Sequence, residues 1–320
     1  MLTPYLLQSV VPLVLIAWLA FARPLSVVGF WAQALAIVGI LMAIGRVGIL
    51  SFPPWWTLYV FAGLVVAAIA NGLAQRRSIP RWPHGLGGWL CLIGFAAAGL
   101  YSANVVRLAA VAAAPPAVYV VDLAAPLAPG TYLVANGGAA PAINAHAELL
   151  DQTVARYRPY WGTAHGVDLI ALDRLGLRAD GVLPVDPRRY EIFGRVVVAP
   201  CAGTVIAAVD GLRDMPVPMV DRRHLAGNHV ILRCAAADTL LGHFQRGSVR
   251  VRAGQQLAIG EPIARVGNSG NTSEPHLHIN AQLPGTAAAP FAGEPIPIRI
   301  QHRYLVRNDR LVVPTLKDQP

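Results

Sequence analysis

The sequence predicts a protein in two halves: an N-terminal helical membrane domain of about four transmembrane helices, then a C-terminal all-β domain of barrel or sandwich type. Three observations predict it. The chain has 320 residues, of which 55% are hydrophobic and only 13% charged, too apolar for an ordinary soluble protein. The first acidic residue is Asp122, so the apolar excess lies upstream of it. Beyond that point short β-branched runs alternate with glycine and proline turns, a strand-rich texture.

The membrane half is assigned to residues 1–108. Apolar stretches at 6–22, 25–45, 55–74 and 86–106 each approach the ~20 residues that cross a bilayer core. The first is the shortest; it lacks a basic leader and three comparable stretches follow, so it reads as a retained span rather than a signal peptide. Cations near span ends tend to stay in the cytoplasm. Arg23, Arg76, Arg77 and Arg81 fall on one side of a four-span arrangement, against Arg46 and Arg107 on the other. That bias places both termini, and everything after the fourth span, outside the cytoplasm. The same six arginines supply most of the formal net charge of +9, so the basic balance reflects membrane flanks and no nucleic-acid partner is expected. Trp55, Trp56 and Tyr59 suit an interfacial aromatic belt.

Residues 109–129 read as a linker, because Pro115 and Pro116 cannot continue the last span. The exported domain is assigned to 130–320. Its strand candidates are "GTYLVANGG", "HGVDLIAL", "RVVVAPCAGTVIAAVDG", "NHVILRC", "TLLGHF" and "HLHINAQ". Three cysteines are too few for a disulfide framework. Cys91 falls in the fourth span as a small apolar side chain; Cys201 and Cys234 share the exported part, where an oxidising compartment lets them pair if their geometry allows.

The chemistry centres on "GNSGNTSEPHLHI", residues 267–279. In a strand, residues i and i+2 share a face, so His276 and His278 point one way and Leu277 into the opposite layer. Such a pair lets one imidazole hold a metal while the other reaches its water. Upstream, His243 ends the strand "TLLGHF", and a glycine-rich hairpin separates it from the pair.

These features resemble the lysostaphin and LytM-type zinc metallopeptidases, whose marks are a His at a strand end, a V..G..V..G..I..VG..G run and a closing HLH. The likeness spans about residues 131–283. It implies that His276 acts in general base catalysis, that His278 is a zinc ligand, and that His243 helps hold the substrate or oxyanion. The family also uses a second His and an Asp, usually four apart on one strand. Here the chain departs: His165 and Asp168 are three apart and would face opposite sides of a regular strand. A branch of the family has a glycine-containing loop and Asn-x-His well before the Asp, which "GGAAPAINAH" matches. On that reading the metal ligands are His146, Asp168 and His278. His165 then becomes a half-buried polar residue beside the site, although a bulge could still bring it to the metal.

Other polar residues take plainer readings. Asp173, Asp180 and Asp186 suit turns; His224 and His229 suit the surface or an interface; Glu274 reads as a solvated loop acid. His84 falls in a cytoplasmic loop, and Asn280 stands where an acid backs the second ligand in some relatives.

The function so implied is a membrane-anchored zinc metalloendopeptidase acting on peptidoglycan stems or cross-bridges. It would sit as a multi-pass protein in a bacterial inner membrane, partnered by the lipid bilayer and with the β domain on the periplasmic side. The alternative is a non-catalytic LytM-like domain that activates another cell-wall hydrolase; such domains usually lack several of the five residues named. The "VRAGQQLAIGEPI" hairpin also resembles lipoyl and biotinyl carriers, which need a lysine at the hairpin tip. The only lysine is Lys317, in the C-terminal tail.

Overall fold

The computed structural model describes residues 2–74, 79–286 and 288–314; Arg76, Arg77 and Lys317, on which expectations were placed above, lie outside the described residues. The chain divides into two compact units, Met1–Val111 and Ala112–Pro320.

The first unit contains α1 (Leu2–Phe21), α2 (Val27–Val47), α3 (Thr57–Ala74) and α4 (Gly85–Ala112). Among the described residues α2, α3 and α4 are long and apolar enough to cross a membrane, and Tyr5–Phe21 in α1 is a shorter apolar stretch. Ser26 caps α2 by accepting a hydrogen bond from the amide of Gly29 at 2.9 Å, which stops the helix from extending back into the preceding loop. Ile16, Leu19, Phe30, Ile37, Phe61 and Val65 pack α1, α2 and α3 together. Other apolar side chains, among them Leu35, Val66, Leu86 and Leu100, are exposed.

The second unit is built from β1 (Val121–Leu123), β2 (Gly130–Asn136), β3 (Val167–Ala171), β4 (Val196–Val198), β5 (Gly203–Val209), β6 (Asn228–Cys234), β7 (Ala237–Phe244), β8 (Gln256–Leu257), β9 (Pro262–Arg265), β10 (Leu277–Gln282), β11 (Pro295–Ile296), β12 (Ile298–Ile300) and β13 (Arg310–Val313). The main sheet runs β13-β2-β3-β10-β7-β6-β5-β8, with β11 also paired to β10. Two small pairs, β4 with β9 and β1 with β12, accompany it. Residues 109–129, read as a linker, include the last turn of α4 and a strand, β1, that pairs in parallel with β12. The sheets do not close into a barrel; their arrangement is sandwich-like.

β7 and β10 are central and buried on both faces; β10 nevertheless alternates, with Leu277, Ile279 and Ala281 in the core and His278, Asn280 and Gln282 as buried polar residues between them. One core joins the main sheet (Val134, Leu169, Leu232, Leu241, Leu277) to the small β4–β9 pair (Val197, Ile263). Cys201 and Cys234 form a disulfide at a Cα–Cα distance of 5.8 Å, tying the segment before β5 to the end of β6.

Candidate metal centre

β3 and β10 lie side by side and antiparallel, with His278 directly opposite Asp168. The pairing sets the two donors on neighbouring strands of one face. Leu277 between the two histidines is fully buried in the core, as period-two geometry requires. The third donor, His146, comes from a 3-10 turn, Ala145–Leu150. Asn144 caps that turn by accepting from the His146 amide at 3.1 Å, while its Nδ2 donates to the carbonyls of Gly138 (2.9 Å) and Gly166 (3.0 Å). The Asn-x-His spacing thus has a local cause: the asparagine shapes the turn that presents the histidine.

His146 Nε2 lies 2.9 Å from Asp168 Oδ2, and His278 Nδ1 lies 2.9 Å from Asp168 Oδ1. Ligand atoms of the three residues all fall within 4.8 Å of one another. Asp168 and His278 are buried, at 4% and 5% exposure. His165 stands outside this group; it is half-buried, and its Nδ1 is buried without a hydrogen-bond partner.

The protonation pattern tests whether a metal fits. Asn280 Nδ2 donates to the Gly162 carbonyl at 2.9 Å, which turns its Oδ1 toward His278 Nε2 at 3.0 Å. That oxygen accepts, so His278 carries its proton on Nε2 and presents the Nδ1 lone pair to Asp168. A carboxylate oxygen and a bare imidazole nitrogen then face each other, an arrangement that only a cation or an added proton between them relieves. Two imidazoles and one carboxylate also match a zinc site that leaves its fourth position open. The residues present therefore fit a zinc ion.

Electrostatics agree. Burial alone would raise the pKa of Asp168, but His146 and His276, together with a hydrogen bond from His146, hold it well below the usual carboxylate value. Burial opposes charge on His146, yet Asp168 wins and raises its pKa. Burial lowers the pKa of His278, and lowers that of His243 well below its ordinary value, with His276 and His278 adding to the effect.

His243 and His276 stand beside the three donors, with ring centroids 4.7 Å apart. His243, the penultimate residue of β7, lies in the left-handed region, φ 65°, a conformation that costs a non-glycine residue energy and recurs where a side chain must be aimed. Its Nδ1 donates to the Ser269 carbonyl at 2.8 Å. Likewise His276 Nδ1 donates to the Glu274 carbonyl at 2.9 Å, while its Nε2 points to Asp168 Oδ1 at 3.5 Å. Both rings, when neutral, therefore offer a bare Nε2. His146, His243 and His278 line a cleft of about 170 Å³ with Tyr160, Leu225 and Phe291.

Several residues escaped sequence reasoning. Asn136 donates to Asp168 Oδ2 at 2.8 Å and is itself bonded by Arg307; nothing in "GTYLVAN" or "YLVRND" distinguishes them from ordinary strand-end and loop residues. Gly166 leaves room for two donors: a Cβ there would lie 2.5 Å from His278 Cε1 and 3.1 Å from His146 Cδ2. Glu274 is not a solvated loop acid. The buried Arg178 grips it with Nε and Nη2, anchoring the loop that leads into His276. Asn280, the guess behind the second ligand, does bond His278. His224 is exposed and paired with Asp221, whereas His229 is half-buried and lines a second cavity.

Residues 191–290 match the family described as Peptidase family M23, a span that contains His243, His276 and His278 but neither His146 nor Asp168. No curated protein matches the chain. Similar solved structures include the catalytic domain of the antimicrobial peptidase lysostaphin from Staphylococcus simulans, at 18% identity over 39% of this chain and 71% of that one, TM-score 0.26. A putative peptidase M23 from Pseudomonas aeruginosa is similar at 24% identity over 35% and 44%, TM-score 0.23. A zinc-containing peptidase from Vibrio cholerae is similar at 20% identity over 37% and 46%, TM-score 0.23. The chain spans less than half the length of these last two. The match falls on the segment that supplies His243, His276 and His278, so the second unit is similar to Peptidase family M23 over residues 191–290.

Proposed function

We propose that this protein is a membrane-anchored zinc metalloendopeptidase that hydrolyses peptide bonds in the stems or cross-bridges of peptidoglycan. One observation carries the reading: His278 Nδ1 and Asp168 Oδ1, both electron-pair donors, face each other at 2.9 Å with His146 completing the set. His146, Asp168 and His278 would hold the metal, and a zinc ion there supplies Lewis acidity toward the attacked carbonyl and the attacking water. His276 accepts the water's proton at Nε2, because its Nδ1–H is engaged by the Glu274 carbonyl. The protonated ring then stands 3.5 Å from Asp168 Oδ1. His276 then returns the proton to the leaving amine.

Of the two roles the resemblance implies for His243, holding the substrate fits its hydrogen bonding and holding an oxyanion does not. A neutral imidazole whose only N–H is given to Ser269 cannot donate to an oxyanion, and its low pKa keeps it neutral. It acts instead as an acceptor that orients water or a substrate N–H. All five residues cluster together, and His146, His243 and His278 line one cleft, which supports a catalytic domain over a non-catalytic activator. The apolar helices α2, α3 and α4 support anchoring, and the Cys201–Cys234 disulfide supports an oxidising, extracytoplasmic location for the second unit.

The test is digestion of purified peptidoglycan by the full-length chain in detergent, with zinc analysis and product masses. His278→Ala should lose both zinc and cleavage. Full activity in that variant, or no cleavage by a zinc-loaded parent, overturns the reading.

A further inference from the structure

We propose that Asn136 and Arg307 are positioning residues for the metal centre, forming a strut that fixes the carboxylate plane of Asp168 and ties it to the turn carrying His146. The inference rests on reading His146, Asp168 and His278 as metal ligands. Both strut residues lie outside the span that matches Peptidase family M23.

Asn136 ends β2, where a register shift after Val134 brings it opposite Asp168. Its Oδ1 accepts from Arg307 Nη2 at 2.6 Å and from the amide of Ala145 at 3.2 Å. A guanidinium and a backbone N–H only donate, so the side-chain amide has one permitted orientation. Its Nδ2 is left to donate to Asp168 Oδ2 at 2.8 Å. Arg307 is held in turn: its Nε donates to the Ala135 carbonyl at 2.9 Å, and its own amide donates to the Gly137 carbonyl at 3.3 Å. The next residue, Asn308, donates its amide to the Val134 carbonyl at 2.8 Å. The segment bearing the guanidinium is therefore mounted on the end of β2.

The consequence concerns a torsion. The terminal torsion of an aspartate is broad and two-fold, so a carboxylate between two histidines can turn without much cost. Giving Oδ2 an N–H from Asn136 removes that freedom and leaves Oδ1 aimed at the lone pair of His278. The same Asn136 Oδ1 binds the amide of Ala145, immediately before His146, so one side chain sets the spacing between the turn and the carboxylate. Such outer contacts orient metal ligands, and losing them typically weakens metal binding about 10–100-fold.

The experiment measures zinc affinity of the full-length chain in detergent by competition with a chromophoric chelator, and records the visible spectrum of the cobalt(II)-loaded chain. Zinc binding by the parent comes first: its absence sinks the ligand reading, whereas parent binding with unaffected variants sinks the strut alone. Asn136→Ala and Arg307→Ala should each bind zinc about 10–100-fold more weakly and shift the cobalt bands. Because both break the same strut, the double variant should lose little more than the worse single one. Losses that multiply, or parent-like affinity in a folded Asn136→Ala chain, overturn the proposal. Arg307→Lys keeps the charge but not the fork; several-fold weaker binding is expected, and parent-like affinity there overturns the strut even where the alanine variants do not fold.

Discussion

Gly166 offers a test of the metal centre that alters no donor. It immediately precedes β3, two residues before Asp168, and its amide donates to the Thr163 carbonyl at 2.9 Å. A methyl group added here would meet His278 Cε1 at 2.5 Å and the Thr163 carbonyl at 3.0 Å, with His146 Cδ2 at 3.1 Å. The backbone carbonyl cannot swing away as a side chain can, so the histidine rings must yield. Restoring an ordinary contact of 3.4 Å requires the His278 ring to retreat by about 0.9 Å. Metal–nitrogen distances tolerate only about 0.2 Å, so a shift of that size breaks or badly stretches one bond of three. Gly166→Ala should therefore weaken zinc binding at least about 100-fold, or about 2.7 kcal/mol, while overpacking costs the metal-free fold about 1–3 kcal/mol. Chelator competition measures the first quantity and thermal unfolding of the metal-free chain the second. A folded Gly166→Ala chain with the parent's zinc affinity would refute the placement of His146 and His278 as joint ligands.

Three further outcomes follow from other residues. His165→Ala should leave zinc affinity within about twofold of the parent, since His165 lies outside the donor group; a loss near that of His278→Ala would reinstate it as a ligand. In the metal-free chain, burial lowers the pKa of His165, His229, His243 and His278, whereas Asp168 raises that of His146. A lowered imidazole stabilises above its unfolded value of ~6.5, and that contribution is lost as pH falls toward the folded value; a raised one stabilises below ~6.5 and loses its contribution as pH rises through the folded value. Four against one predicts falling stability from about pH 7 to 5, with His243→Asn flattening the slope in thermal midpoints taken with chelator present; an unchanged slope would count against the burial of His243 as its cause. Replacing both Cys201 and Cys234 with alanine opens a loop closed across 33 residues, and should lower the stability of the second unit by roughly 3–4 kcal/mol in denaturant titrations. No change on replacement or on reduction would mean that the bond contributes nothing.

How much of this was legible in the sequence depends on the range of the interaction. β10, with His278 in it and His276 just before it, was readable because strand periodicity is local, and His243 because its strand end and the glycine-rich hairpin are contiguous with it. His146 was readable only through the Asn-x-His spacing, whose physical cause, a capped 3-10 turn, is also local. Asn136 and Arg307 were not readable. They meet across 171 positions of chain, and the register shift that turns Asn136 toward Asp168 is a property of paired strands rather than of either one. Glu274 was misread for the same reason: its partner, Arg178, lies 96 positions away. The break between the apolar helical half and the β half showed in composition, but β1 did not, since three residues become a strand only when β12 is laid beside them.

The histidine pair shows why spacing alone underdetermines chemistry. His276 and His278 share a face, yet they present different nitrogens to the cleft. His278 spends Nε2–H on Asn280 Oδ1, two residues along the same strand, and offers Nδ1 to the metal position. His276 spends Nδ1–H on the carbonyl of Glu274, two residues before it, and offers Nε2. On the proposed roles the opposite nitrogen in each case would carry the chemistry, so ligand and base would be distinguished by what holds the far side of the ring. This makes Asn280 a sharper probe than either histidine. Asn280→Asp can still accept from Nε2–H but loses its N–H to Gly162, whereas Asn280→Leu removes the acceptor and frees His278 to move its proton to Nδ1, where it competes with the metal. Zinc affinity should therefore fall more for leucine than for aspartate; the reverse order would mean that the proton on His278 does not reside where Asn280 holds it.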